Sequence, residues 1–217
     1  MDPKERQLRR AEERLRREKE VRANKAIFAL CVVLLVMVLF QSIGRAVRER
    51  NKREEASASS EFLSDEVLGY RDLVHEYAEQ EGIGEYEDVL LAIMEVESRG
   101  TGSDVMQSSE SKGLRAGTLE PEESIEQACY YYAELLKIAD ENGSDDRSVI
   151  QAYNFGPGYL IFVGENGGKH TRELAAEYAR QKSDGETVEY TNDVAPDGWK
   201  YKYGNMYYVD LVEQHMP

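Results

Sequence analysis

Glu97 closes the stretch Asp88 to Gly100, DVLLAIMEVESRG, where apolar residues recur at helical spacing before the sequence turns to Glu-Ser-Arg-Gly. With Val89 at zero and a step of about 100° per residue, Ala92, Ile93 and Val96 share one side. Glu97 falls at about 80°, between Ile93 and Leu90 and inside the apolar arc. Glu95 falls opposite, with Asp88 and Leu91, on the side expected to meet water. A carboxyl that continues an apolar stripe is expensive to ionise, so its pKa rises, and an acid still protonated near neutrality can serve as a general acid. The ordinary alternative is a helix end whose last glutamate reaches into solvent. Three further stretches bear on the choice: Asp104 to Ser111 (DVMQSSES), Ala152 to Gly156 (AYNFG) and Tyr207 to Val212 (YYVDLV). No His or Lys lies near Ser98 in sequence, so Ser98 reads as a supporting hydrogen-bonding group rather than a nucleophile.

The elements that must hold these residues are mainly helical. Helical patterns run over Phe62 to Gln80, Asp88 to Glu97, Ser124 to Asp140, Asp146 to Asn154, Tyr159 to Val163, Thr171 to Lys182 and Asn205 to Gln214. Pro121 before the third and Asn142-Gly143 after it are boundary signals. Glu186 to Tyr203, with Asn192-Asp193, Pro196 and Asp197-Gly198, reads as extended or hairpin-like. Tyr130-Tyr131-Tyr132 reads as core with one exposed edge, and Met106 as packing.

Charge divides the chain. Residues 1–53 carry 15 Lys/Arg against 7 Asp/Glu, leaving 12 against 35 for residues 54–217, a balance of −23 (12 − 35). So acidic a region is a poor nucleic-acid binder, because phosphates are held by Lys and Arg. The two cysteines, Cys31 and Cys129, and three scattered histidines form no zinc-ligand spacing, and neither metal nor cofactor is expected.

Residues 1–25 are basic, charged and helix-prone, a cytoplasmic or membrane-surface segment. Ala26 to Phe40, AIFALCVVLLVMVLF, is uninterrupted apolar sequence that Gln41 to Gly44 extends to the length of a transmembrane helix. Ten Lys/Arg precede it and Arg45, Arg48, Arg50, Lys52 and Arg53 follow, so the positive-inside rule favours a cytoplasmic N-terminus only mildly. Ser42-Ile43-Gly44 has the form of a cleavage site, but an uncleaved anchor over residues 26–44 is the preferred reading. Residues 45–61, with EEASASS, form a linker to a domain spanning 62–217.

Taken together the motifs resemble the lytic transglycosylase and goose-type lysozyme superfamily. Glu97-Ser98 matches its catalytic Glu-Ser, and Asp104-Val105-Met106-Gln107 stands where the family has Gly-Leu-Met-Gln. Ala152 to Gly156 matches Ala-Tyr-Asn-x-Gly in full, and Tyr208, Val209 and Val212 match the fourth motif. DVMQSSES, EESIEQ, QAYNFGPGY, ENGGKH and YGNMYYV look most like the lysozyme-like domain of Gram-positive cell-wall hydrolases, including those of conjugative elements. The resemblance covers about Phe62 to Gln214. It implies a glycosidase that cuts peptidoglycan strands at the MurNAc-β-1,4-GlcNAc bond with Glu97 as acid, which the apolar run over residues 26–44 would anchor in the membrane facing outward. It also implies partners in the cell wall or the conjugation machinery. Gln107, Tyr153 and Asn154 would then meet the sugar's N-acetyl and hydroxyl groups, with Ser98 and Glu110 at the site, and Tyr208 would orient Glu97 or line the cleft. Asp104 and Glu110 are the two candidates for a second carboxylate. If one faces Glu97, water is added, as in a muramidase. If neither does, the substrate assists and a 1,6-anhydro end forms, as in a lytic transglycosylase. A catalytically idle peptidoglycan-binding scaffold is the alternative outside enzymology.

Overall fold

The computed structural model describes residues 62–192 and 194–216. The basic segment, the apolar run and the linker expected over residues 1–61 lie outside the described residues. Among the described residues no helix is long and apolar enough to cross a membrane.

Eight α-helices and one hairpin make up the described domain. They are α1 (Asp65–Leu68), α2 (Arg71–Gln80), α3 (Glu87–Glu97), α4 (Pro121–Asn142), α5 (Asp146–Phe155), α6 (Gly158–Glu165), α7 (Arg172–Lys182), strands β1 (Thr187–Glu189) and β2 (Trp199–Tyr201), and α8 (Tyr208–Glu213). Short 3₁₀ turns occupy Gly84–Tyr86 and Ser109–Lys112. The mainly α expectation with one extended hairpin holds. The strands pair antiparallel with Val188 opposite Lys200.

The longest helix, α4, is the spine, and α2, α5 and α6 pack on it. Its start is set by Pro121, whose missing N–H costs nothing in a first turn, and by Glu123, which accepts from the Glu120 N–H at 3.3 Å. Gly143, at φ 66°, ends it. Ile125, Ala128, Cys129, Tyr132 and Leu135 line its buried face. Tyr130 stays 48% exposed while Tyr132 is fully buried, as read from the tyrosine run. Helix α5 is capped by Asp145, whose carboxylate accepts from the Ser148 and His170 N–H groups, both at 3.0 Å. Phe155 at its end stacks with Tyr178 of α7 and meets Tyr159 of α6 edge-on. Rings of this size each contribute about 1.5–3 kcal/mol when buried, which fixes the end of α5 and the turn that follows.

Two expectations need correction. The single helix expected over Phe62 to Gln80 starts only at Asp65 and is broken at Gly69-Tyr70, with Ser64, which caps α1, bound to Glu95 of α3. Of the α3 residues expected to meet water, Asp88 does, but Leu91 and Glu95 do not. Leu91 is fully buried and Glu95 is 8% exposed, its Oε2 accepting from the Ser64 N–H at 2.8 Å and hydroxyl at 2.7 Å. A wheel sorts faces by sequence composition and cannot foresee that a neighbour will bring donors to a charged one.

Candidate active site

Helix α3 delivers Glu97 at its last turn. The next residues leave the helix sharply: Arg99 adopts φ 55° and Gly100 φ 68°. A Cβ on Gly100 would stand 2.8 Å from the Val67 N, so only glycine lets the chain pass beneath α1. The Ser98 hydroxyl donates to the Val105 carbonyl at 2.6 Å and accepts from the Gly100 N–H at 3.1 Å. Its proton is thereby committed to holding the following loop.

Glu97 is half-buried. Burial raises its pKa above the ordinary carboxylate value, a hydrogen bond from Tyr208 opposes that rise, and the nearby charge of Asp104 adds to it. The net shift is upward. The Tyr208 hydroxyl, on a side chain 2% exposed in α8, donates to Glu97 Oε1 at 2.6 Å. Oε2 is left for another partner.

The 104–111 loop is organised by Asp104, which is 3% exposed. Its Oδ1 accepts from the Ser108 N–H at 3.0 Å and the Ser124 hydroxyl at 2.6 Å; its Oδ2 accepts from the N–H groups of Ser109 at 3.2 Å and Gly117 at 3.3 Å. Burial alone would raise this carboxyl's pKa, but the hydroxyls of Ser109 and Ser124 and the Ser108 and Ser109 N–H groups outweigh it and the net shift is downward. All four lone-pair directions are used, so Asp104 is neither a solvated loop charge nor free to take a proton from water. Gln107 follows at φ 48°, exposed, its Nε2 donating to the Asp104 carbonyl at 2.9 Å. Among the described residues, two of the three non-glycine residues in the left-handed region, Arg99 and Gln107, follow Glu97 in sequence and stand beside the same carboxyl. Glu110 is exposed.

Helix α5 brings the third group. The Tyr153 hydroxyl donates to the Met106 carbonyl at 2.9 Å, tying α5 to the loop, and its ring packs on Tyr131. Asn154 Oδ1 accepts from the Asn205 N–H at 2.6 Å. That bond fixes which end of the amide is oxygen and leaves Nδ2 without a hydrogen-bond partner among the described residues. Gly204 makes the approach possible, since a Cβ there would lie 2.6 Å from Asn154 Oδ1 and 2.7 Å from the Phe155 ring.

Two cavities meet at these residues. One, of about 450 Å³, is lined by Glu95, Glu97, Arg99, Asn154, Tyr190, Lys200, Asn205, Tyr208 and His215. The other, of about 390 Å³, is lined by Glu97, Gln107, Ser108, Glu110, Tyr131, Tyr153, Asn154 and Phe155. Glu97 and Asn154 belong to both, so they form the waist of one polar groove. Of the candidates named from sequence, Glu97, Gln107, Glu110, Tyr153, Asn154 and Tyr208 line it. Ser98 and Asp104 do not; they shape the loop beside it.

Residues that sequence reasoning passed over also line the groove: Arg99, Tyr131, Tyr190, Lys200 and Asn205. Asn205 sits in the quoted stretch YGNMYYV, and its neighbour Gly204 was the available signal for a close backbone approach. Lys200 and Tyr190 come from the hairpin, whose docking against the groove has no trace in one-dimensional periodicity.

A family model described as Lysozyme-like matches residues 64–216. In Bacillus subtilis (strain 168) the chain is similar to the uncharacterized membrane protein YocA, 34% identical over 191 residues covering 87% of this chain and 82% of YocA. It is also similar to the bifunctional muramidase/DL-endopeptidase CwlT of that organism, 36% identical over 155 residues, 71% of this chain but only 43% of CwlT. A crystal structure of a protein similar to lipoprotein, NLP/P60 family, from Staphylococcus aureus subsp. aureus Mu50 matches with a TM-score of 0.71 and 46% identity, over 72% of this chain and 54% of that one. With a family model spanning most of the chain and a groove built around Glu97, this protein belongs to the lysozyme-like family.

Proposed function

We propose that this protein hydrolyses peptidoglycan glycan strands at the MurNAc-β-1,4-GlcNAc bond, with Glu97 as general acid. The observation that carries the reading is Glu97 itself: a half-buried carboxyl with a raised pKa, gripped on one oxygen by Tyr208, at the waist of a groove that continues on both sides. The muramidase named among its relatives, CwlT, supports the substrate class.

The steps follow from the groups present. A strand lies along the groove, and the free Nδ2 of Asn154 and the exposed amide of Gln107 hydrogen-bond its N-acetyl and hydroxyl groups. Glu97 gives its proton to the bridging oxygen as the sugar on the other side of the bond becomes oxocarbenium-like. The Tyr208 hydroxyl donates to the carboxylate left behind, lowering the cost of the charge in a half-buried site. Tyr153, its hydroxyl spent on Met106, offers a ring wall and a fixed loop rather than a proton.

Asp104 is saturated by four donors, so the reading gives the role of base to Glu110, whose carboxylate has no hydrogen-bond partner among the described residues and lines the cavity on the loop side. Water activated there reaches the anomeric carbon and leaves a reducing end. The second reading, a lytic transglycosylase, is favoured by the same saturation of Asp104: without Glu110, the muramic 6-hydroxyl closes on the anomeric carbon. Digestion of purified peptidoglycan by the full chain in detergent, followed by mass analysis, separates the two, because hydrolysed and anhydro ends differ by one water. Glu110→Gln is expected to lose hydrolysed ends. Undiminished release by Glu97→Gln would overturn both readings. Anchoring by residues 26–44 with an extracellular domain belongs to the same proposal, in keeping with YocA's being named a membrane protein. Protease accessibility of residues 62–217 on intact cells tests it.

A further inference from the structure

The two halves of the groove differ in charge. The described residues contain twelve Lys and Arg, and six of them, Arg71, Lys137, Arg147, Arg172, Arg180 and Lys202, have acidic partners. The other six have no acidic partner among the described residues. Two of those without an acidic partner among the described residues, Arg99 and Lys200, line the same cavity on one side of Glu97, together with His215. The cavity on the other side holds no cation, and Glu110 projects there.

Lys200 is also held in place. Its Nζ lies 4.6 Å from the centroid of the Tyr190 ring. The Tyr190 hydroxyl accepts from Asn205 Nδ2 at 3.0 Å, and Asn205 in turn donates its backbone N–H to Asn154. The Tyr190 ring stacks on Tyr207, 6.0 Å away and nearly parallel. A chain of fixed groups therefore runs from the Asn154 turn to the ammonium. Arg99 is exposed and held at φ 55° by the turn that ends α3. Burial among the groove walls also pushes the Lys200 pKa below its usual range, a cost that an arriving carboxylate offsets.

We propose that the Arg99–Lys200 side of the groove is a subsite for the free carboxylates of the peptide stem carried by N-acetylmuramic acid. This rests on the glycosidase reading and adds to it a preference: strands with acidic stems bind better than strands whose stems are neutral, and they bind in one direction, with the stem on the Lys200 side.

The test uses the full-length Glu97→Gln chain in detergent, which binds without cutting, and soluble strands whose stem amines have been acetylated. Affinity is measured before and after carbodiimide conversion of the stem carboxylates to methylamides. The expected result is binding about 5- to 20-fold tighter to the free carboxylates, the range of one or two charge-assisted contacts at a part-exposed site. Adding Arg99→Gln and Lys200→Met is expected to remove that difference, while Lys200→Arg retains it. Equal affinity for the two strand types, or a preference that survives Arg99→Gln with Lys200→Met, overturns the subsite. Turnover by the wild-type chain is scored separately: failure to cut either strand overturns the glycosidase reading, whatever the binding data say about the subsite.

Discussion

At the residue scale, Glu97 and Asp104 are two carboxyls driven in opposite directions. Glu97 has a folded-state pKa above its unfolded one, so the folded protein binds the extra proton and stability falls as pH rises from the unfolded value through the raised one. Glu97→Gln is therefore expected to raise the melting temperature at pH 8 more than at pH 4, while lowering strand cleavage roughly 10²- to 10⁴-fold. Calorimetry at the two pH values checks the first part and product release the second. Tyr208→Phe deletes a bond that favours the ionised acid. The alkaline limb of the pH–activity profile is then expected to move to higher pH, at a stability cost of about 1–3 kcal/mol. Asp104 runs the other way. Its folded pKa is depressed, so its contribution is present above the unfolded value and is lost as pH falls through the depressed one. Asp104→Asn is expected to cost about 2–3 kcal/mol in urea unfolding near neutral pH, because the amide NH₂ would replace one oxygen and face donors at two of the four contacts.

At the element scale, the hairpin and the turn before α8 decide whether Asn154 is aimed. Gly204→Ala forces a Cβ against Asn154 Oδ1 and the Phe155 ring at a positive φ. It is expected to cost about 1–2 kcal/mol and to lower cleavage by disturbing Asn154, which calorimetry and product release measure on one sample. The helices and their order were legible from period, Pro121 and Asn142-Gly143, since capping and amphipathicity are local. Glu97 could be assigned to an apolar arc for the same reason. Glu95 could not be assigned to the interior, because its burial depends on Ser64, 31 residues away, supplying two donors. In sequence Asp104 reads as a second carboxylate or a solvated charge; Gly117 and Ser124, which complete its donor set, come from beyond the motif. Lys200 went unnoticed because a three-residue strand carries too little pattern to say what it docks on.

At the scale of the whole molecule, a single core joins the helices of the described domain, and Cys129 is buried in it. Burial pushes that thiol up to about 12, so it presents almost no thiolate at pH 8. In a Cys31→Ser chain, Cys129 is expected to resist a disulfide reagent until denaturant unfolds the domain, the reactivity midpoint coinciding with that of circular dichroism. An earlier midpoint would indicate a sub-region around α4 that opens on its own.

The groove continues past Glu97 in both directions, through one cavity and then the other. On the proposed glycosidase reading, a long polymer lies across Glu97 with chain to spare at either end, and scission is expected in its interior rather than at its tips. Mean strand length should collapse while few new ends have accumulated, so a suspension of sacculi clears early and disaccharides appear late.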